Sequence, residues 1–181
     1  ITVLGNTSLN ILNEKSKIEN QSILGITKFV GEKLLEFSNI KYINLRLPGV
    51  LLNKKNKDRP WLNSIFYRLN KNKNLNIYSG NKKFNNVIDS YEIYKFLNFI
   101  FNKINFKKFN HSGTFYFSAK NKIILKKLIN YLIYKTKSQS KIFYKTNRRL
   151  KNFTISTEKL KKIFNYDLPN VIKVIDRNFI W

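Results

Sequence analysis

The sequence is short of several residue types, and each shortage narrows the range of possible functions. It has no cysteine, which excludes disulfide bonds and cysteine-ligated metal sites. Its single histidine belongs to no zinc-ligand spacing, so we predict no metal centre. No charge-free apolar run approaches the roughly 18 residues that a membrane span requires, so we predict no membrane partner.

Methionine is also absent, even at position 1. We therefore expect these 181 residues to be a piece of a longer chain. The apolar opening ITVLG has no lead-in, which predicts that the chain begins inside a strand. The six glycines do not form the GxxGxxG pattern that holds the pyrophosphate of a dinucleotide at a helix N-terminus.

Acidic residues are few, with ten Asp and Glu against 35 Lys and Arg and a net charge of +25. Such a charge is typical of nucleic-acid-binding proteins. However, the lysines are scattered, and only six basic residues are arginine, the type best suited to phosphate and base contacts. The many Phe and Tyr residues fall on apolar positions, which favours a core role over base stacking. We predict no specific nucleic-acid partner and keep a salt-sensitive polyanion-binding module as an alternative.

Helix and strand patterns alternate along the chain. Apolar residues at three- and four-residue spacing predict helices at about 22–37, 61–72, 91–104, 121–136, 157–166 and 169–181. Stretches of alternating or β-branched residues predict strands at about 1–5, 40–50, 75–80, 85–90, 113–119, 141–145 and 153–155. This alternation predicts an α/β protein.

The predicted helix at 22–37 carries a pattern with chemical meaning. Leu24, Lys28 and Glu32 follow at four-residue steps and share one face. A tyrosine at position 24 would lie near the Lys28 ammonium, which lowers a phenol's pKa and makes it a usable acid or base for a sugar hydroxyl. Leu24 cannot transfer a proton. The alternative interpretation is an ordinary surface leucine beside an ordinary surface lysine.

The stretch SILGITKFVGEKLL, followed by LRLPGV, resembles the extended short-chain dehydrogenase/reductase family of NAD-dependent nucleotide-sugar epimerases and dehydratases. That family carries Tyr-Gly-x-Ser/Thr-Lys-x-x-x-Glu on this helix. Gly25, Thr27, Lys28 and Glu32 match the pattern, whereas Leu24 stands at the tyrosine position. FNNVIDSYEIYKFL (84–97) is similar to the family's element beside the nucleotide sugar, and FTISTEKLKKIFNY is similar to its terminal helix.

The resemblance implies the C-terminal part of a Rossmann-like doubly wound sheet plus a small substrate-binding α/β subdomain. Residues 1–52 would end the NAD-binding domain, and residues 53–181 would form the substrate-binding part with returning Rossmann elements. The implied catalytic residue is Lys28, which would also contact the cofactor ribose. The other implied site residues are Pro48, Gly49 and Val50 for the cofactor, and Asn85, Asn86, Asp89 and Glu92 for the substrate.

The same resemblance implies NAD or NADP as cofactor of the parent protein and a nucleotide-diphosphate sugar as its substrate, in polysaccharide biosynthesis. It also implies a cytoplasmic location and, for the full-length protein, a homodimer formed through the 22–37 helix. We expect no turnover from this chain alone, and an open sheet edge near residues 1–5 and 40–47. A non-catalytic member that binds a nucleotide sugar or a partner remains an alternative. In the simpler alternatives, Pro48-Gly49 only stops a strand, and Asp89 and Glu92 only cap a helix.

Overall fold

A computed structural model describes residues 2–5, 9–52, 60–103, 111–146 and 153–179. After a short 3-10 turn at Thr2–Leu4, the helices are α1 (Ile23–Phe37), α2 (Trp61–Asn70), α3 (Ser90–Lys103), α4 (Leu125–Thr136), α5 (Glu158–Phe164) and α6 (Val171–Asn178). The strands are β1 (Ile11–Leu12), β2 (Ile43–Arg46), β3 (Gly49–Leu51), β4 (Leu75–Tyr78), β5 (Lys83–Phe84), β6 (Val87–Asp89), β7 (Gly113–Tyr116), β8 (Ile123–Ile124), β9 (Ile142–Lys145) and β10 (Thr154–Ile155).

The strands pair across long sequence separations. The parallel pairs are β1 with β10, β2 with β7, β3 with β6 and β4 with β9, and the antiparallel pair is β5 with β8. Parallel strands need crossover connections, and here helices supply several of them. The predicted α/β class with Rossmann-like parallel pairing is therefore confirmed.

One large aromatic core holds the helices against these strands. Phe96 of α3 is fully buried and contacts the rings of Phe117, Phe164 and Tyr166 at centroid distances of 5.0, 5.4 and 5.0 Å. A smaller cluster joins the N-terminal turn to β1, β7 and β10 through Leu4, Leu12, Tyr116 and Ile155. The two clusters bury the apolar faces that the periodic patterns predicted for α3 and β7.

Helix α1 differs from the other long helices because only Gly25 in it is buried. Ser22 caps it by accepting a hydrogen bond from the Gly25 amide at 3.2 Å. Its apolar stripe faces outward, with Ile23 83% and Phe37 82% exposed. Strand β2 beneath it pairs with β7 along one edge, and no strand within the described ranges pairs with its other edge. The predicted open edge at residues 40–47 is present there.

The structure corrects the sequence prediction at residues 1–5. The predicted strand is instead a 3-10 turn at Thr2–Leu4, followed by Gly5 at φ +67°. A Cβ on Gly5 would lie 2.0 Å from the Glu19 carbonyl oxygen, so only glycine fits this close approach. An extended backbone needs a neighbouring strand for its hydrogen bonds, and here the Leu4 carbonyl accepts from the Glu19 amide instead.

Three further corrections concern short strands. Pro48 interrupts the predicted strand at 40–50, but Gly49 starts a new one that pairs with β6. Strand β8 was predicted as the first turn of α4, and β1 was predicted as loop. Two-residue strands are too short to show an alternating pattern.

No helix in the described ranges is long and apolar enough to cross a membrane.

Candidate functional site

A cavity of about 680 Å³ opens between α2, β4 and β5. Aromatic rings from three distant segments, Trp61, Phe84 and Phe153, line it. The Trp61 and Phe84 rings meet edge to face, with centroids 5.5 Å apart. Such rings present apolar faces on which a planar group can stack.

The same cavity carries positive charge. Arg68, Lys82 and Lys83 line it, and the part of its lining that the structure describes includes no carboxylate. The Arg68 guanidinium donates to the Asn74 carbonyl at 2.6 Å, which holds that side chain near the cavity wall. An anion in the cavity would therefore meet three cations.

A second cavity, of about 220 Å³, adjoins the first. Trp61, Asn86 and Phe153 line both, and the narrow one continues to Pro48 and Gly49. A Cβ on Gly49 would lie 3.2 Å from the Pro60 Cβ, so a larger residue would crowd this wall. The loop at 48–49 is thus a wall of the narrow cavity as well as a break between strands.

A third cavity, of about 510 Å³, lies between α1 and the open edge of β2. Lys28, Gly31 and Leu35 line its helix side, and Pro48 lines its far end. Lys28 is exposed and makes no hydrogen bond or ion pair within the described ranges. Because Pro48 lines both this cavity and the narrow one, the three cavities follow one another across the molecule.

A buried ion pair holds α1 over this third cavity. The Arg46 guanidinium donates to both oxygens of Glu32, at 3.0 and 2.7 Å, and to the Tyr116 hydroxyl at 3.3 Å. Burial raises the pKa of Tyr116, so its hydroxyl stays protonated at neutral pH. Glu32, one turn after Lys28, therefore has a positioning role and fixes the helix face that carries Lys28.

We compared the chain with known proteins. No protein-family model and no curated protein matches the sequence. Among solved structures, it superimposes on a UDP-N-acetylglucosamine 4-epimerase from Methanobrevibacter ruminantium in complex with UDP-N-acetylmuramic acid. The TM-score is 0.75 at 15% identity, covering 98% of this chain and 58% of that one.

Two bacterial enzymes give similar results. The Bordetella bronchiseptica enzyme WbmG, in complex with NAD and UDP, matches with a TM-score of 0.74 at 13% identity over 98% of this chain and 56% of that one. The UDP-glucose 4-epimerase of Thermotoga maritima, with UDP-glucose, matches with a TM-score of 0.68 at 17% identity over 90% and 53%. This chain has the epimerase/dehydratase fold. It spans little more than half the length of these enzymes.

Within the epimerase/dehydratase fold, the structure separates the predicted site residues into two groups. Lys28, Pro48, Gly49 and Asn86 line the cavities. Val50 instead lies in β3, where it pairs with Ile88 and packs against the main core. Leu24 is 57% exposed one turn before Lys28.

The other predicted substrate-binding residues lie inside the protein, away from the three cavities. Asn85 uses its amide to bind the Ala119 and Ile155 carbonyls and accepts from the Ile155 amide, all within 2.9 Å. It therefore ties the segment between β5 and β6 to β10 and to the segment after β7. Its predicted contact with a substrate receives no support from this geometry.

Asp89 and Glu92 form a buried cluster with α6. Arg177 Nη1 lies 2.9 Å from Glu92 Oε2, and Arg177 Nε lies 3.0 Å from Asp89 Oδ2. The Tyr166 hydroxyl donates to Glu92, and burial followed by this bond raises the pKa of Tyr166. Asp89 Oδ1 also accepts from the Glu92 amide, which is the capping contact of α3. Both carboxylates are committed to internal contacts.

Sequence reasoning missed the aromatic and basic walls of the 680 Å³ cavity. Trp61, Phe84 and Phe153 occupy positions that read as ordinary core or helix residues. Lys82 and Lys83 are two of many scattered lysines. One sequence feature could have indicated these walls. Lys82 and Lys83 directly precede Phe84, and Asn85 and Asn86 follow it, at the start of the stretch that resembles the family's substrate element.

Proposed function

We propose that this chain belongs to an NAD-dependent nucleotide-sugar epimerase/dehydratase-like protein and supplies its nucleotide-sugar binding surface. The observation that carries this proposal is the 680 Å³ cavity, which combines aromatic faces with three cations among the residues that the structure describes. A nucleotide diphosphate has the matching chemistry, namely a planar base and two negative phosphates. The UDP and UDP-glucose named with the similar structures support this choice.

The order of the cavities supports an arrangement of the ligand. The base would stack near Trp61 and Phe84, and the phosphates would meet Lys82 and Lys83. The sugar would then extend through the narrow cavity towards Pro48. The third cavity, with Lys28 on its wall, follows on the other side of Pro48.

A dinucleotide cofactor fits this chain only in part. Lys28, Pro48 and Gly49 line cavities on either side of the loop, so they could hold the ribose and nicotinamide end of NAD or NADP, whose ring transfers hydride when bound. No glycine-rich pyrophosphate loop occurs in the 181 residues, and Leu24 has no proton to exchange. We therefore expect this chain alone to bind a nucleotide sugar without turnover.

The remaining expectations belong to the same proposal. Residues 1–52 would end a cofactor domain and residues 53–181 would form the substrate part, within a longer parent protein. The coverage of 53–58% of the similar enzymes supports a longer parent protein. A cytoplasmic location fits a chain without cysteine, since it needs no oxidising compartment.

The binding surface can be tested by titrating the purified chain with UDP and UDP-glucose and following tryptophan fluorescence, because Trp61 lines the cavity. We expect saturable binding that Lys82→Glu weakens about 10-fold through the lost charge-assisted contact. Lys127→Glu on α4 is the matched control, because it changes the net charge equally outside the cavity lining. It should change the dissociation constant less than about 2-fold.

Equal losses in both variants, together with collapse of binding at moderate salt, would instead identify a non-specific polyanion-binding module. Absence of binding to both nucleotides would overturn the proposal.

We also propose that α1 forms the surface for a homodimer, as the family resemblance implied. Its outward stripe includes Ile23, Leu34 and Phe37, which are 83%, 67% and 82% exposed. Exposed apolar surface of this extent on one helix is typical of an association surface. The stripe runs the length of the helix, so a second copy could pair with it through the same residues.

Light scattering tests the homodimer. We expect a dimer mass for the chain and a monomer mass for Leu34→Lys, since a charge in an apolar interface is costly to bury. Tyr134→Lys, at an equally exposed position on α4, should leave the dimer intact. A monomer mass for the unaltered chain, or equal masses for the two variants, would contradict a homodimer formed through α1.

A further inference from the structure

The acidic residues of this chain are unevenly distributed, although the lysines are scattered. Residues 1–40 contain four lysines and four glutamates and so carry no net charge. Residues 93–157 contain 15 Lys and Arg and no Asp or Glu. A general preference for lysine raises the number of cations along the whole chain, but it does not remove the acids from one long stretch. This stretch therefore has a field of one sign, which attracts anions.

Helix α4 presents this charge on one exposed face. Lys126, Lys127, Asn130 and Tyr134 are all exposed, and Tyr134 is 79% exposed. The period of 3.6 residues per turn places these four residues within about 100° of one another around the helix axis. The opposite side of α4 is buried against the main core. The packing of the helix therefore leaves the side with the two lysines open to solvent.

Tyr144 of β9 extends this exposed face. Lys126 Nζ lies 5.2 Å from the centroid of the Tyr144 ring, and the Tyr144 hydroxyl donates to Asn130 Oδ1 at 3.5 Å. The ring also lies against Gly80, where a Cβ would be 2.6 Å from the ring Cδ1. These contacts hold the ring in place beside α4. We call this set the basic face, and its members are Lys126, Lys127, Asn130, Tyr134 and Tyr144.

The charge of the basic face is not used inside the protein. Within the described ranges, neither Lys126 nor Lys127 forms an ion pair. Lys135, further round α4, differs from them because its Nζ lies 3.9 Å from Asp176 Oδ1. The residues of the basic face line none of the three cavities described above. Their charge is therefore available to a ligand other than the nucleotide sugar.

We infer that the basic face binds single-stranded nucleic acid without regard to base sequence. The lysines meet the phosphates and the exposed ring of Tyr134 stacks on a base, which is the combination that such surfaces use. A duplex encloses the faces of its bases, so it offers Tyr134 nothing to stack on. A lysine ammonium is a point charge, so it meets a phosphate without selecting a base. This activity is separate from the proposed nucleotide-sugar site and does not depend on it.

Fluorescence anisotropy of a labelled oligothymidylate of about 20 nucleotides tests the stacking contact. We expect Tyr134→Ala to raise the dissociation constant about 5-fold or more, because one stacked base is lost. Tyr134→Phe keeps the ring and should stay within about 2-fold of the unaltered chain. Tyr94→Ala is the matched control on α3, where Tyr94 is 63% exposed, and it should also stay within about 2-fold.

The salt dependence of the same binding tests the lysines. Each phosphate contact of a single strand contributes about 0.7 to the slope of log K against log salt. Replacing Lys126 and Lys127 together with alanine should therefore reduce that slope by about 1.4. Alanine at both Lys161 and Lys162, which are adjacent and exposed on α5, removes the same charge outside the basic face. This control should leave the slope nearly unchanged.

Two sets of results would overturn the inference. Equal effects of Tyr134→Ala and Tyr94→Ala, or equal slopes for the two lysine pairs, would show that the basic face is not the binding surface. Equal affinity for a duplex of the same length and for heparin would replace single-stranded nucleic acid with polyanions in general. The titration with UDP reports on a different site, so the proposed function stands or fails separately.

Discussion

Replacing Arg177 with methionine is expected to lower the free energy of unfolding by about 3–5 kcal/mol. Its guanidinium lies 3.0 Å from Asp89 and 2.9 Å from Glu92, and these acids are 0% and 2% exposed. Methionine has a similar length and keeps the apolar packing, but it leaves two buried carboxylates without a counter-charge. The remaining donors, Tyr166 and Asn178, are neutral and cannot replace it.

The matched control for this variant lies on the same helix. Lys173 is exposed on α6, so Lys173→Met should change the free energy of unfolding by less than about 0.5 kcal/mol. Urea unfolding followed by circular dichroism measures both variants. A loss of less than 1 kcal/mol for Arg177→Met would show that the two carboxylates do not depend on this arginine.

The second large effect is expected from Phe96→Ala, at about 3–5 kcal/mol. Phe96 is fully buried, and its ring contacts rings from the residue after β7, from α5 and from the segment after α5. Removing the ring leaves a cavity that three neighbouring aromatic residues cannot fill without leaving their own contacts. Part of the loss is transfer free energy, and the rest is the cost of that cavity.

Phe101→Ala provides the comparison on the same helix, because Phe101 is 68% exposed. The same chemical change should there cost less than about 1 kcal/mol. The free energies of unfolding of the two variants, measured by thermal and urea unfolding, should therefore differ clearly. Similar losses at both positions would mean that α3 does not pack through Phe96 as described.

The helices were largely predictable because their apolar residues recur at the helical period and continue for several turns. The 61–70 and 125–136 helices follow the predicted ranges within a few residues. Strands β1, β5 and β8 have two residues each, too few to display a period, and were not predicted. β10 is equally short and was predicted only as part of the stretch at 153–155. Their identity depends on partners elsewhere in the chain.

The site was predictable where a residue's neighbours in sequence are also its neighbours in space. Lys28 and Glu32, four residues apart on one helix face, line the same cavity. Asn85 and Asn86 show the limit, because adjacent residues in an extended segment point to opposite sides. One is used entirely by the core, and the other lines the cavities. Motif spacing could not distinguish them.

The pairing of β1 with β10 also constrains how the chain can assemble. Ile11 pairs with Thr154, which is 143 residues later (154 − 11). A contact of such sequence separation has a high loop-closure cost and is typical of slow folding. During synthesis, β1 must wait for nearly the whole chain to leave the ribosome before its partner exists. Leu12 and the smaller core cluster around it should therefore be among the last regions to become protected, which makes the nascent chain dependent on folding assistance during that interval.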